Sequence, residues 1–406
     1  MVHRSDGASA VVPRPASADG AGTALRLVSL LLVAACLRPT LTSVGPVLTS
    51  IGEDENLSRT ALGMLGTVPL VAFAIVAPAV NRQVRRVGVE RAVVLASLGL
   101  AGGTLLRSLP GVVMLWAGTA AAAVCVAVGN VLLPSLVKRD YADRTAEVTG
   151  ACSTVMALVA AVASATAVPL AAQLPGWRWS LVVWALPALV VAVVWWPRVQ
   201  RTDPFGEVIT ENPRTAPLWR SAVAWQVTAF FGLQSTSFYL LITWLPSIES
   251  ARGSAPATAG WHLFLYQVAG IVACLAVTPL LGRRTDQRIS GVVVSFLMAF
   301  AMCGMLLAPG AAVLWVLIAG TSSGAAFVLA LTVIGLRCRT TGQTTRLSGM
   351  AQTIGYGFAA AGPVAAGWLN ERLGTWTPVL MGVVAIAVVQ LTVSWWTGRP
   401  RQVQTG

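Results

Sequence analysis

Residues 27–51 read LVSLLLVAACLRPTLTSVGPVLTSI, an apolar run interrupted by one cation, Arg38, and by two prolines, Pro39 and Pro46. About 20 apolar residues carry a helix across the hydrocarbon core of a bilayer, so this run reads as a membrane span, and it is too long for a secretory signal. Working outward, comparable stretches fall at 60–80, 91–108, 111–137, 146–173, 179–197, 221–247, 257–282, 289–308, 310–336, 346–370 and 376–397. Together they predict an all-α membrane protein of twelve transmembrane helices. Composition agrees: 56% of the 406 residues are hydrophobic and 11% charged, less than half the ~25% charged share of a soluble chain. That excludes a soluble enzyme and leaves no room for a separate water-soluble domain. The net charge of +13 is read as loop cations beside apolar blocks, with no nucleic-acid partner.

Cations are retained on the cytoplasmic side of short loops. With both termini cytoplasmic, 22 of the 28 Lys and Arg fall inside and five outside, among them Arg107, placed at the outer end of the third span, where it snorkels to the headgroups. Arg38 alone lies within a span. The longest internal polar segment, 198–220, divides the chain into bundles at 26–197 and 221–397, flanked by a disordered tail at 1–25 and a short tail at 398–406. Thr149-Gly150-Ala151-Cys152-Ser153-Thr154 in the fifth span recurs as Ser348-Gly349-Met350-Ala351-Gln352-Thr353 in the eleventh. Such a repeat predicts two pseudo-symmetric six-helix bundles with a binding site between them. The six cysteines form no CxxC pair and read as free thiols.

A charge at bilayer depth costs ~2.5 kcal/mol or more, which makes an intramembrane ionisable residue a functional candidate. All 15 carboxylates read as loop or tail residues, so Arg38 has no acidic partner within a span, and its counter-charge is expected to be a substrate anion held by the guanidinium fork. The alternative is that Arg38 caps carbonyls freed by Pro39. Asn130 in the fourth span, Gln234, Phe238 and Tyr239 on one face of the seventh, and Gln352 and Tyr356 on one face of the eleventh complete a candidate substrate site; each alone is equally suited to joining helices. His262, near the outer end of the eighth span, reads as a proton relay or as an interfacial residue beside Trp261. No P-loop, GxGxxG after a strand, HExxH or GxSxG is present. The chain is therefore expected to be no enzyme and to use no cofactor.

Four stretches carry a family resemblance: Leu37-Arg38-Pro39-Thr40 with Gly45-Pro46; Gly129-Asn130-Val131-Leu132-Leu133-Pro134 with Lys138-Arg139; Trp225-Gln226-Val227-Thr228 through Gln234-Ser235 to Trp244-Leu245-Pro246; and Leu347-Ser348-Gly349-Met350-Ala351-Gln352 with Gly355-Tyr356. In these the chain resembles the cyanate permease and 2-nitroimidazole transporter family of the major facilitator superfamily. The resemblance implies alternating access by two six-helix bundles in the inner membrane, a monomer in the lipid bilayer, and a small, cyanate-like anion as solute. Export of planar neutral compounds such as nitroimidazoles is the alternative. The superfamily's loop motif after the second span departs here: Asn81 through Arg91 lacks the usual acid. Arg82, Arg85 and Arg86 there are expected either to latch helix ends in gating or to form a solvated loop.

Overall fold

The computed structural model describes residues 20–141, 144–199, 218–281, 286–338 and 341–403. The tail up to residue 19, most of the 198–220 linker, and the side chains of Arg82, Arg85 and Arg86 lie outside the described residues. The first crossing is built from α1 (Gly20–Leu37), α2 (Pro39–Thr42) and α3 (Val44–Asp54). It is followed by α4 (Arg59–Val87), α5 (Val89–Arg107), α6 (Val112–Asp140), α7 (Thr145–Gln173), and the broken crossing α8 (Trp177–Val182) plus α9 (Ala185–Val199). The second half comprises α10 (Ala222–Ser250), α11 (Pro256–Leu281), α12 (Arg288–Leu307), α13 (Ala312–Leu336), α14 (Thr341–Leu373) and α15 (Thr377–Thr397). No strand occurs among the described residues.

Ten of these crossings are long and apolar enough to span a bilayer unaided. The other two, α10 and α14, have 29 and 33 residues and carry the glutamines, serines and threonines of the candidate site, which lowers their apolarity. Two sequence boundaries change. The loop expected around 81–91 is helical, and α4 and α5 are joined by Gly88 alone, whose φ of +88° is open to glycine without strain. Helix α1 begins at Gly20, so 20–25 extend the first span.

Within lipid, apolar burial supplies little drive for helix association, and close approach depends on small residues. A Cβ on Gly324 or Gly320 of α13 would overlap the Gly270 or Tyr266 carbonyl of α11, and one on Gly118 of α6 would overlap the Arg107 backbone of α5. The motif repeated in α7 and α14 places Gly150 and Gly349 alike, each with open space beside it.

The buried apolar clusters show how the halves meet. One, including Leu48, Leu62, Trp177, Trp244, Leu245, Leu263 and Trp376, draws on both halves. It sits at the end of the bundle bearing the 55–58, 174–176 and 251–255 turns, called here the far end. Two others, around Leu30, Val126 and Trp195 and around Phe230, Leu329 and Leu347, each belong to one half and occupy the opposite, tail end. The cross-half polar contacts run from the middle to the far end. Thr67 Oγ1 donates to Ala360 O at 2.6 Å, Gln267 Nε2 to Ser164 Oγ at 2.8 Å, and Thr60 Oγ1 and N to Glu371 Oε2 at 2.6 and 3.0 Å. The Thr60 bonds hold the Glu371 carboxyl below its usual range. The halves are thus joined from the middle to the far end.

Candidate functional site

Arg38 stands between the halves. Proline lacks an N–H and clashes with the preceding turn, so α1 stops at Leu37 and Arg38 becomes the cap residue before the short α2 turn, with φ −105° and ψ −32°. The turn is held by its neighbours: Thr42 Oγ1 donates to Ala160 O at 2.9 Å, and Ser164 Oγ donates to Thr42 O at 3.2 Å, both in α7. The Arg38 guanidinium lies 5.9 Å from the Phe238 ring centroid, a cation–π distance, and no described carboxylate forms an ion pair with it.

Aromatic rings from both halves continue the wall. Phe238–Tyr239, Tyr239–Tyr356 and Tyr356–Phe73 centroids are 5.1, 6.0 and 5.7 Å apart, with Phe231 5.3 Å from Tyr356 and Tyr266 6.2 Å from Phe238. Tyr239 and Tyr356 meet edge to face, and both side chains lie within the field of Arg38. Arg38, Phe73, Phe238, Tyr239 and Tyr356 are only half-buried although they lie mid-bundle.

Of the polar residues expected around this centre, Gln234 is buried one turn before Phe238, and its Oε1 has no partner. Gln352, one turn before Tyr356, donates from Nε2 to Ser348 Oγ at 2.8 Å. Asn130 is half-buried in α6 beside Gly129, which packs on Leu37; no contact joins Asn130 to the aromatic wall. Phe73, Phe231 and Tyr266 were not in the expected set. Each sits among apolar neighbours where helical spacing alone does not separate a cleft-facing ring from a packed one.

Two sequence expectations are corrected. The carboxylates are not all in loops: Glu249, in the last turn of α10, is 2% exposed and its Oε2 lies 2.9 Å from His262 Nδ1 of α11, and Glu90, in the first turn of α5, is 6% exposed and pairs with Arg139. His262 is therefore a buried, paired imidazole; only Trp261 beside it is exposed. Arg107 does not reach the headgroups. It is 2% exposed and its Nη1 donates to Thr40 O at 2.7 Å.

Two helical bundles joined from the middle to the far end, with a cation that no described carboxylate pairs and aromatic rings of both halves between them, fit a solute carrier working between two faces of a membrane. The comparisons name the group. The Major Facilitator Superfamily sequence pattern matches residues 30–363, and the chain belongs to that superfamily. It is 36% identical over 388 residues to the 2-nitroimidazole transporter of Escherichia coli K12, covering 96% of this chain and 99% of that protein. To the cyanate transport protein CynX of the same organism it is 27% identical over 371 residues, covering 90% and 96%. Among solved structures, a bacterial homologue of the human lysosomal transporter Spinster superposes with a TM-score of 0.77 at 14% identity, covering 91% of this chain and 96% of that one. The protein is a multi-pass membrane transporter of small solutes and not an enzyme.

Proposed function

We propose that this transporter moves a small, cyanate-like anion across the bacterial inner membrane by alternating access, as a monomer with both termini cytoplasmic. The observation that carries this reading is the Arg38 guanidinium, unpaired by any described carboxylate and set 5.9 Å from Phe238 of the other half. The cation distribution favours the tail end on the cytoplasmic side. On this reading the bundles 26–197 and 221–397 rock about this centre, and Arg82, Arg85 and Arg86 are the candidates for an inner latch.

An anion entering the cleft takes the forked donors of Arg38. Asn130, Gln234, Gln352 and the Tyr239 and Tyr356 hydroxyls supply neutral hydrogen-bonding groups around it, and the rings exclude water. The solute then decides whether the cleft can close. Occluding an uncompensated guanidinium costs several kcal/mol, whereas a guanidinium neutralised by its anion closes at much lower cost. An exchanger-like preference for loaded over empty return follows.

A second reading, transport of a neutral planar compound such as a nitroimidazole, is favoured by the aromatic wall and by the 36% identical relative; here Arg38 donates to a nitro group. A thermal-shift panel followed by counterflow into proteoliposomes separates the two. Protection by cyanate and small carboxylates, lost in Arg38→Ala, supports the anion; protection by 2-nitroimidazole alone supports the neutral solute. Charge-assisted hydrogen bonds contribute about 1.5–3 kcal/mol each, so Arg38→Ala is expected to lower uptake of the anion by about tenfold or more. Arg38→Lys is also impaired, because an ammonium lacks the fork. Unchanged uptake by Arg38→Ala in proteoliposomes refutes both readings.

A further inference from the structure

A second guanidinium lies behind the first. Arg107 closes α5, and the glycine-permitted crossing of α6 at Gly118 lets the two helices approach closely beside its backbone. The side chain is 2% exposed. Its Nη1 donates to the Thr40 carbonyl at 2.7 Å, no described carboxylate pairs with it, and its Nε and Nη2 have no partner. Thr40 lies two residues after Arg38 in the four-residue turn Pro39–Thr42. That turn is therefore gripped from two sides, by Thr42 against α7 and by Arg107 through the Thr40 carbonyl.

A neutral donor would suffice to cap one carbonyl. A charged one costs more to bury, and its field extends further in a low-dielectric interior. We propose that Arg107 is a positioning and specificity-determining residue: it pins the turn that carries Arg38 and adds a second uncompensated positive charge that biases the cleft toward anions. This rests on the reading of Arg38 as the solute's charge partner, and makes the anion preference a property of two cations.

Arg107 acts through a single donor, so Lys and Gln separate its roles: Arg107→Lys keeps charge and donor, while Arg107→Gln keeps only a donor. The first measurement needs no solute. Gln352→Cys is introduced with the six native cysteines replaced, and its modification rates by an anionic and a cationic methanethiosulfonate reagent are compared. Arg107→Gln is expected to lower the anionic-to-cationic rate ratio several-fold and Arg107→Lys to restore it; an unchanged ratio in Arg107→Gln overturns the electrostatic role.

The second measurement is proteoliposome uptake of cyanate. Displacing the Arg38 turn by about 1 Å is enough for a tenfold or larger effect, so Arg107→Gln is expected to raise KM on the order of tenfold, with the loss falling on KM rather than maximal rate and with rescue by Arg107→Lys. A uniform fall in maximal rate without a KM change, or no rescue by Lys, overturns the positioning role. Arg38→Ala measured in parallel keeps the two claims apart. Lost uptake there with a silent Arg107→Gln refutes only the inference about Arg107; retained uptake in Arg38→Ala refutes the solute reading on which it rests.

Discussion

Replacing His262 by leucine isolates the energetics of the buried pair that joins α10 to α11. In the native protein Glu249 Oε2 lies 2.9 Å from His262 Nδ1, and among the described residues its other side-chain partner is Ser254 Oγ at 3.3 Å. Both residues are nearly inaccessible, at 2% and 7%, and they border a recess of about 860 Å³ lined also by Arg252, Pro309 and Leu314. His262→Leu keeps a comparable volume and removes the partner. If the pair is a hydrogen bond from a neutral imidazole to a carboxylate, the loss is about 1.5–3 kcal/mol; if it is an imidazolium–carboxylate ion pair, stranding the charge costs about 3–5 kcal/mol. Glu249→Leu should fall in the same range, while the double variant removes both polar partners at once and is expected to be less destabilised than either single variant. Equilibrium unfolding in mixed micelles of the four proteins, read as a double-mutant cycle, measures the coupling directly. A double variant destabilised by the sum of the two single losses would show that the residues do not interact, and would refute the reading of His262 as anything but an isolated polar residue.

Three further outcomes are expected. A valine at Gly324 must fit where even a Cβ overlaps the Gly270 carbonyl; overpacking of this kind costs about 1–3 kcal/mol or more, so Gly324→Val should lower the yield of folded protein and its melting temperature, whereas Gly357→Ala in α14, with open space beside it, should leave both unchanged. The far-end bonds from Thr60 to Glu371 need the carboxylate. Because that carboxyl titrates below its unfolded value, its contribution is complete above the ordinary carboxylate range and is lost as pH falls through the folded value. The distance between spin labels attached at Ser58→Cys and Ala251→Cys across the far end should accordingly widen only in acid, and Glu371→Gln should remove that pH response.

The membrane class and the twelve crossings were legible because a bilayer demands uninterrupted apolar length, a signal written residue by residue in the sequence. Arg38 was legible for the related reason that a lone charge is conspicuous there. The same criterion misplaced Glu249, whose position two residues beyond the apolar run looked like a loop; one more helical turn carries it into the protein, where a histidine 13 positions later meets it. Arg107 was misjudged likewise: a terminal cation on a short span can snorkel outward or fold inward, and only the crossing at Gly118 and the free Thr40 carbonyl decide between them. Phe73 and Tyr356 illustrate the rest. Their proximity depends on how α4 and α14 cross between halves, and helical periodicity on either chain segment carries no information about that crossing.

The way the far end is closed bears on how the transporter moves. Its cross-half contacts among the described residues include the shared apolar cluster, glycine-permitted backbone approaches, Gly45 to Ile242, Gly63 to Pro363 and Gly367 to Arg59, the exposed Arg59 over the Trp376 ring, neutral hydrogen bonds and one exposed carboxylate. The ion pairs Arg178–Asp54, Arg139–Glu90 and His262–Glu249 each stay within one half. Separating the halves at this end therefore breaks packing and weak polar contacts without stranding a buried charge, and the two faces can interconvert at modest cost. The large electrostatic cost is left in one place, at Arg38 with Arg107 behind it. If the solute is the anion proposed above, such a carrier is gated by the charge of what it carries, since that solute brings the negative charge that lets the site close around a guanidinium.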